Sequence, residues 1–462
     1  MALTPETTIG TAADADLAVL EARLLGRLIR PGDRDYDEAR QVVHTLVDRR
    51  SDYIVRAADA ADVLRAVEFA RAYSLPLAVR SSGHSFAGLG TVDGGVVVDL
   101  SKMNAISVDP RRRTVWAQPG ATSSELAAAT QAHGLVLSTG DTGSVALGGL
   151  TTGGGIGLLS RKFGLAIDHL RSVELVSADS RLIVASATQH PDLFWAIRGG
   201  GGNFGVVTGF EFDLEPVGTI LGGALLLPAT IDVIRRFADY ALTAPDELTT
   251  IGTLMRTPPL PMVPAEMHGK PALVILACYA GDPTEGQRII QPLRDLAEPI
   301  ADLIHPMPYA DIYKLGGAEG QRTPVTTKGG FMHELTDGVI DMLVENLYDG
   351  FDPFAMIQLR PLGGAITRIP NDAMAFAHRD KAFALSLINL GVERENQQWV
   401  DRTWDTLKAH TSGVYVNFVG DEGQRRIADV YPAETYARLA EVKRRYDPTN
   451  LFSINLNVAP AE

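Results

Sequence analysis

The sequence predicts an α+β protein of two domains, and three observations carry that expectation. The chain has 462 residues, too many for one compact core. From about 53 to 215, short β-rich runs alternate with short helices. From 217 to 410 the pattern becomes long alternating runs separated by amphipathic helices, which reads as an antiparallel sheet backed by helices on one side.

Taken in order, YIVRAA (53–58) is strand-like, and the helix that follows sets Val63, Val67 and Ala70 on one face. LPLAVRSS (75–82) is the next strand and runs into a loop of small residues. GGVVVDLS (94–101) and TVWAQPG (114–120) are strands separated by turn residues. Thr122 and Glu125 form a capping box opening a helix that stops at Gly134. LRSVELVSAD (170–179) and RLIVASA (181–187) pair like a hairpin, a short helix begins at Pro191, and 204–217 is a long strand. Composition changes near 216. Beyond it, PALVILACYAG (271–281), FAMIQLRPLGG (354–364) and FALSLINLGV (383–392) are strands, and IDVIRRFADYALTA (231–244) is an amphipathic helix. The tail carries a helix with Pro432 near its first position, stopped by Asp447-Pro448.

Composition excludes several classes. A net charge of −14 argues against a general nucleic-acid or anionic-membrane surface. Cys278 is the single cysteine, so no disulfide framework exists and a reducing cytoplasm is expected. The first residues contain neither a basic region nor an apolar run of signal type, and no stretch of 18 apolar residues occurs. No metal is expected: His333-Glu-Leu lacks the second histidine at ligand spacing. Oligomeric state is not readable, because a core face and a subunit face carry the same pattern.

Fourteen of the 45 glycines cluster in RSSGHSFAGLG (80–90), GGLTTGGGIG (148–157) and RGGGGNFGVVT (198–208). Backbone so free of side chains approaches a ligand closely and points N–H groups at it, as phosphate-holding loops do. A Rossmann site is not expected from the context, since GGGIG follows DTGSVALGGL and no Val/Ile-rich strand. The first loop plants one histidine, His84, beside whatever it cradles.

The ordered combination of these loops, with LFWAIRGGGGNFGVVT, the later Tyr415-x-Asn417 and RYDPTNLF-x-x-N-x-N, resembles the FAD-linked oxidases of the berberine bridge enzyme type. These belong to the vanillyl-alcohol oxidase and p-cresol methylhydroxylase superfamily. The resemblance spans nearly the whole chain. It implies a two-domain FAD-binding fold: 1–215 as FAD-binding domain, 216–410 as substrate-binding domain, and 411–462 returning to the FAD-binding part. It implies FAD joined through His84 to the flavin 8α carbon. Such a bond raises the flavin's reduction potential, and a rise of about 60 mV in a two-electron couple is worth roughly 2.8 kcal/mol. Thr142 stands where many relatives carry a second, cysteinyl link, so a single covalent bond is expected.

FAD contacts are implied for Arg80, Ser81, Ser82, Gly83, His84 and Ser85, and for Gly120. They are implied also for Gly140, Asp141, Thr142, Val145, Gly148 and Gly149, and for Gly153, Gly154, Gly155 and Gly157. Gly205, Val206, Val207, Asn417, Asn455 and Asn457 complete the set. Val145 sits near flavin C4a and N5 by resemblance, where a small residue leaves room for dioxygen.

The expected reaction is hydride transfer from a C–O or C–N bond of a small molecule to flavin N5, with dioxygen reduced to hydrogen peroxide. Alternatives are a dehydrogenase or oxidative cyclase, or a flavin-bearing protein that binds a ligand without turnover. Tyr415 and Asn417 are candidates to face the ring together, as positions i and i+2 of a strand. A basic tyrosine there needs a neighbouring cation or strong donor. Gln358 occupies a position where several relatives have glutamate, and an amide is no base. Arg360 shares its face and is a candidate for binding an anionic or enolic substrate. His333 is a further general-base candidate, and Tyr309 and Tyr313 are candidate pocket residues.

Overall fold

Three large sheets and a two-stranded one, Leu135–Val136 with Glu215–Pro216, organise the chain, seen in a computed structural model that describes residues 14–259, 261, 263–316, 321–348 and 352–462. The first has four strands in the order Arg27–Ile29, Tyr53–Arg56, Val96–Asp99, Leu77–Arg80. Its last three are parallel, with Tyr53 opposite Val96 and Leu77 opposite Val96. The helix Ala60–Ala72 makes the crossover, capped by the Asp59 side chain. It buries Val63, Val67 and Ala70 against Val55 and Val98.

The second sheet is antiparallel, in the order Ile106–Asp109, Thr114–Ala117, Val206–Asp213, Leu170–Val176, Leu182–Ser186. The helix Ser123–Gln131 leads away from it under the expected capping box of Thr122 and Glu125. The third sheet has eight antiparallel strands and holds residues 220 to 389. Four helices, Ile231–Thr243, Pro283–Arg294, Asp337–Tyr348 and Arg394–Leu407, cover one face. Phe237, Ile290, Leu343 and Trp399 meet Leu254, Ile275, Ile357 and Leu385 there. On Ala355–Pro361 the side chains therefore alternate: Ile357 and Leu359 enter that core, while Gln358 and Arg360 take the opposite face. The resulting architecture is the α+β fold expected from the sequence.

One expectation fails locally. The segment carrying Tyr415 and Asn417 is not a strand but a 3-10 turn over Val416–Phe418. It has no sheet neighbour to pair with among the described residues. The two side chains still meet, because the turn brings Asn417 Nδ2 to 2.9 Å from the Tyr415 hydroxyl.

The tail is tied down by buried polar groups. Asn203 donates to the carbonyls of Gly200 and Leu456, at 2.8 and 3.0 Å, and accepts from the Val458 N–H at 3.1 Å. Lys443, fully buried near the end of the helix Ala433–Tyr446, donates to Asp447, to the Asn203 carbonyl and to the Phe452 carbonyl. Asp447 in turn accepts the N–H groups of Leu451 and Phe452. Truncating one member strands the other's charge, at a typical cost of about 3–5 kcal/mol. Lys443→Met is expected to lose about that much in a urea titration; a loss under about 1 kcal/mol would contradict the placement.

Among the described residues no helix is long and apolar enough to cross a membrane.

Candidate active site

The three glycine-rich loops converge. They wall one cavity of about 310 Å³, at the lower end of the usual size for ligand sites. Ser81, Ser82, Gly83, His84 and Ser85 line it from the loop that leaves the strand Leu77–Arg80. Gly140, Asp141, Thr142, Val145, Gly148 and Gly149 line it from the next. Gly205 and Val207 come from the third loop and strand, and Asn455 from the tail. Tyr415, Asn417 and Phe418 come from the turn, and Arg360 reaches in from the large sheet.

Not every expected contact lines this space. Gly153 packs on the Asn417 amide, Gly155 on Ala166 and Gly157 on the Thr139 carbonyl, so these glycines permit close chain crossing and do not face the cavity. Gly154, at φ +140°, lies against Phe376 and Tyr415. Gly120 is pressed on the Leu100 carbonyl. Val206 is buried under the four-stranded sheet, and Asn457 is bound through its backbone to Gln424; neither lines the cavity. Gly149 is the opposite case. A Cβ built there meets no protein atom within 4 Å, so that stretch of wall is bare backbone.

His84 is held twice. Its ring Nε2 lies 3.1 Å from Ser144 Oγ, and its carbonyl accepts from His44 Nε2 at 3.0 Å. Burial, helped by His44, pushes its pKa down to about 4, so the imidazole is neutral near pH 7. His44 and His378 are lowered too, chiefly by burial. All three bind a proton more readily once unfolded. The flavin-free chain is therefore expected to lose stability as pH falls below 6.5, and His84→Ala to make that slope shallower. Denaturant titrations between about pH 7 and about pH 4.5 check it; equal slopes would contradict it.

Arg80, though it lines the cavity, is consumed by Asp99 at 3.0 Å and by the carbonyls of Ala39 and Gln41. Arg360 donates through Nε and Nη2 to Asp141 Oδ2, at 3.2 and 2.6 Å, and its guanidinium lies 4.7 Å from the Phe418 ring centre. Its Nη1 is buried without a partner. Among the described residues Asp141 is the one carboxylate in the cavity wall.

Tyr415 is buried, and its hydroxyl accepts from the Gly155 N–H at 2.8 Å and from Asn417. Burial nevertheless raises its pKa to about 12, outweighing those donors, and the residue is a phenol near neutral pH. Of the cation or donor that a basic tyrosine needs, the groups bonded to its hydroxyl among the described residues are donors. Gln358 lies on the sheet face beside Arg360 but outside the cavity wall, donating to Thr253 at 3.3 Å. His333 is exposed beyond the end of the strand Thr326–Met332, paired with Lys381 at 3.0 Å, and does not reach the cavity. Tyr309 and Tyr313 bond to each other behind the wall, and Tyr313 also meets Thr139 and the Gly140 carbonyl. Cys278 is buried away from the cavity, its thiol pushed up to about 12 by burial. Three residues at this site carry no local sequence signal: His44, Ser144 and Phe418.

Comparison with known proteins adds the following. Residues 51–186 match the family described as FAD binding domain, and residues 414–459 match the family described as berberine and berberine like. An uncharacterized FAD-linked oxidoreductase of Bacillus subtilis is 30% identical over 454 residues, covering 95% of this chain and 98% of that protein. The (R)-6-hydroxynicotine oxidase of Paenarthrobacter nicotinovorans is 29% identical over 456 residues, covering 94% and 97%. The crystal structure of 6-hydroxy-D-nicotine oxidase from Arthrobacter nicotinovorans matches with a TM-score of 0.83 at 26% identity, over 95% of this chain and 98% of that one. A xylooligosaccharide oxidase from Myceliophthora thermophila, in complex with xylobiose, matches with a TM-score of 0.86 at 23% identity, over 97% and 100%, a likeness of fold.

Proposed function

Because the chain belongs to the FAD-linked oxidoreductases of the berberine bridge enzyme type, we propose that it is an oxidase carrying FAD covalently on His84 alone. The donor would be a C–O or C–N bond of a small molecule, and the acceptor dioxygen, released as hydrogen peroxide. On this reading 1–215 and 411–462 form the FAD-binding part, and 216–410 the substrate-binding part. The ties from Asn203 to Leu456 and Val458 support the return of the tail.

The residues present fit the cofactor. The cavity has a wall of bare backbone at Gly149, a half-buried neutral imidazole at His84, and an unpartnered buried guanidinium nitrogen on Arg360. FAD, when bound, supplies an acceptor for two electrons. His84 would hold it, since no thiol lines the cavity to add a second link. Val145, small and in the cavity wall, supports access for dioxygen.

Proton transfer falls to Asp141. Of the titratable side chains in the wall, the arginines do not release protons, Tyr415 and Tyr431 are phenols, and His84 is taken by attachment. Asp141 accepts the substrate's O–H or N–H proton at a carboxylate oxygen, and Arg360 holds that carboxylate in place. Tyr415, its oxygen already accepting two bonds, has its own hydrogen to donate. Asn417 fixes it.

The observation that carries the reading is the neutral, doubly held imidazole of His84 in the wall of the glycine-lined cavity. The test is reoxidation: protein photoreduced without oxygen is mixed with air and its visible spectrum followed. Return of the oxidised spectrum within seconds supports the oxidase. Return over many minutes would make the enzyme a dehydrogenase.

A further inference from the structure

His84 is not merely present in its loop; it is clamped there by His44 and Ser144, neither of which lines the cavity. One segment holds two successive carbonyls of the loop. The Val43 N–H donates to the Gly83 carbonyl at 3.1 Å, and His44 Nε2 donates to the His84 carbonyl at 3.0 Å. Gly83, at φ +76°, supplies the bend between them. The His44 ring is 4% exposed and stacks on Phe86 at 4.8 Å between centres, with its edge toward the His84 ring at 6.3 Å. Its Nδ1 is buried with no partner, an arrangement that packing alone does not favour. The same segment is anchored from behind: Thr45 N–H donates to the Thr323 carbonyl and Thr323 N–H to the Val43 carbonyl. From the opposite side Ser144 meets His84 Nε2.

We propose that His44 and Ser144 are positioning residues that prepare His84 for joining to FAD: His44 fixes the main chain, and Ser144 holds the ring at Nε2, accepting its hydrogen in the tautomer that reacts. Nδ1 then carries the lone pair that forms the bond. The inference rests on the covalent reading above. In the balanced step an Nδ1–C8α bond replaces a C8α–H bond of the flavin methyl group. One proton leaves the methyl carbon and one leaves Nε2 through Ser144. Two electrons pass into the ring system, and dioxygen takes these with the two protons as hydrogen peroxide. The sum is histidine plus FAD plus dioxygen, giving histidyl-FAD plus hydrogen peroxide.

Misplacing a reacting atom by about 1 Å costs on the order of 100-fold in rate. The test uses full-length protein from riboflavin-limited cells, given FAD, with total bound flavin and acid-precipitable flavin followed separately. His44→Phe keeps a ring against Phe86 but has no donor for the His84 carbonyl. It is expected to bind FAD as tightly as the native chain and attach it roughly 100-fold more slowly. Ser144→Ala is expected to do the same by roughly tenfold or more. His44→Asn and Ser144→Thr, which keep the donor and the hydroxyl, are expected to restore most of the rate. Attachment at the native rate in both disruptive variants would overturn the inference while leaving the covalent reading intact. So would a loss of FAD binding that fully accounts for the lost attachment. A native chain that binds FAD without ever attaching it would overturn both.

Discussion

Asp141→Asn is expected to slow reduction of the bound flavin by the enzyme's own donor by about 10²–10⁴-fold, the range general-base catalysis spans. The expectation rests on elimination within one wall. The C–H bond beside an alcohol oxygen gives up its hydride readily only as the O–H proton leaves, and that proton needs an unprotonated group within hydrogen-bond reach. Tyr415 is raised to about 12 by burial, and Gln358 and His333 stand outside the wall. The amide put in place of the Asp141 carboxylate would keep nearly the same shape and lose both the charge and the basic lone pair. It would also leave Arg360 without its counter-ion, so substrate affinity is expected to shift toward anionic ligands. Photoreduction and reoxidation by air, which need no substrate proton acceptor, are expected to stay within about threefold of the native protein. Anaerobic stopped-flow reduction separates these steps. A variant reduced by substrate at near-native rate would remove Asp141 from proton transfer.

His84→Ala is expected to leave a protein that still binds FAD but releases all of it on acid precipitation. The cavity wall keeps its glycine loops, so binding does not depend on the imidazole. What is lost is the electron-withdrawing link. A fall of about 60 mV in potential corresponds to roughly 2.8 kcal/mol of driving force. If about half of that reaches the barrier, turnover drops on the order of tenfold. Redox titration against a reference dye and peroxide release measure the two quantities. An unchanged potential with a colourless pellet would separate attachment from tuning.

Much of the fold is legible because its signals are local. The Thr122–Glu125 capping box, the Val63, Val67 and Ala70 stripe, and the alternation of Ile357 and Leu359 with Gln358 and Arg360 each follow from spacing within a few residues. The His84 loop is legible for the same reason. What was hidden depends on distance along the chain. The Asp141–Arg360 pair joins residues 219 positions apart, and His44 meets the His84 carbonyl from 40 positions away. No periodicity encodes either contact. The Tyr415–Asn417 turn misleads in another way, since an alternating Val-Tyr-Val run reads as strand until the absence of a pairing partner is known. His333 misleads because a strand's period fixes its face but not how far past the sheet its end projects. Likewise a glycine reads the same whether open cavity or a carbonyl faces it, as at Gly149 and Gly157 in turn.

Peptide mapping of the acid-denatured native protein bears most directly on the linkage. After digestion, the flavin mass and its visible absorbance are expected on the single peptide that contains His84, with no flavin in the supernatant. Flavin recovered free in the supernatant, or on a peptide without His84, would contradict the assignment.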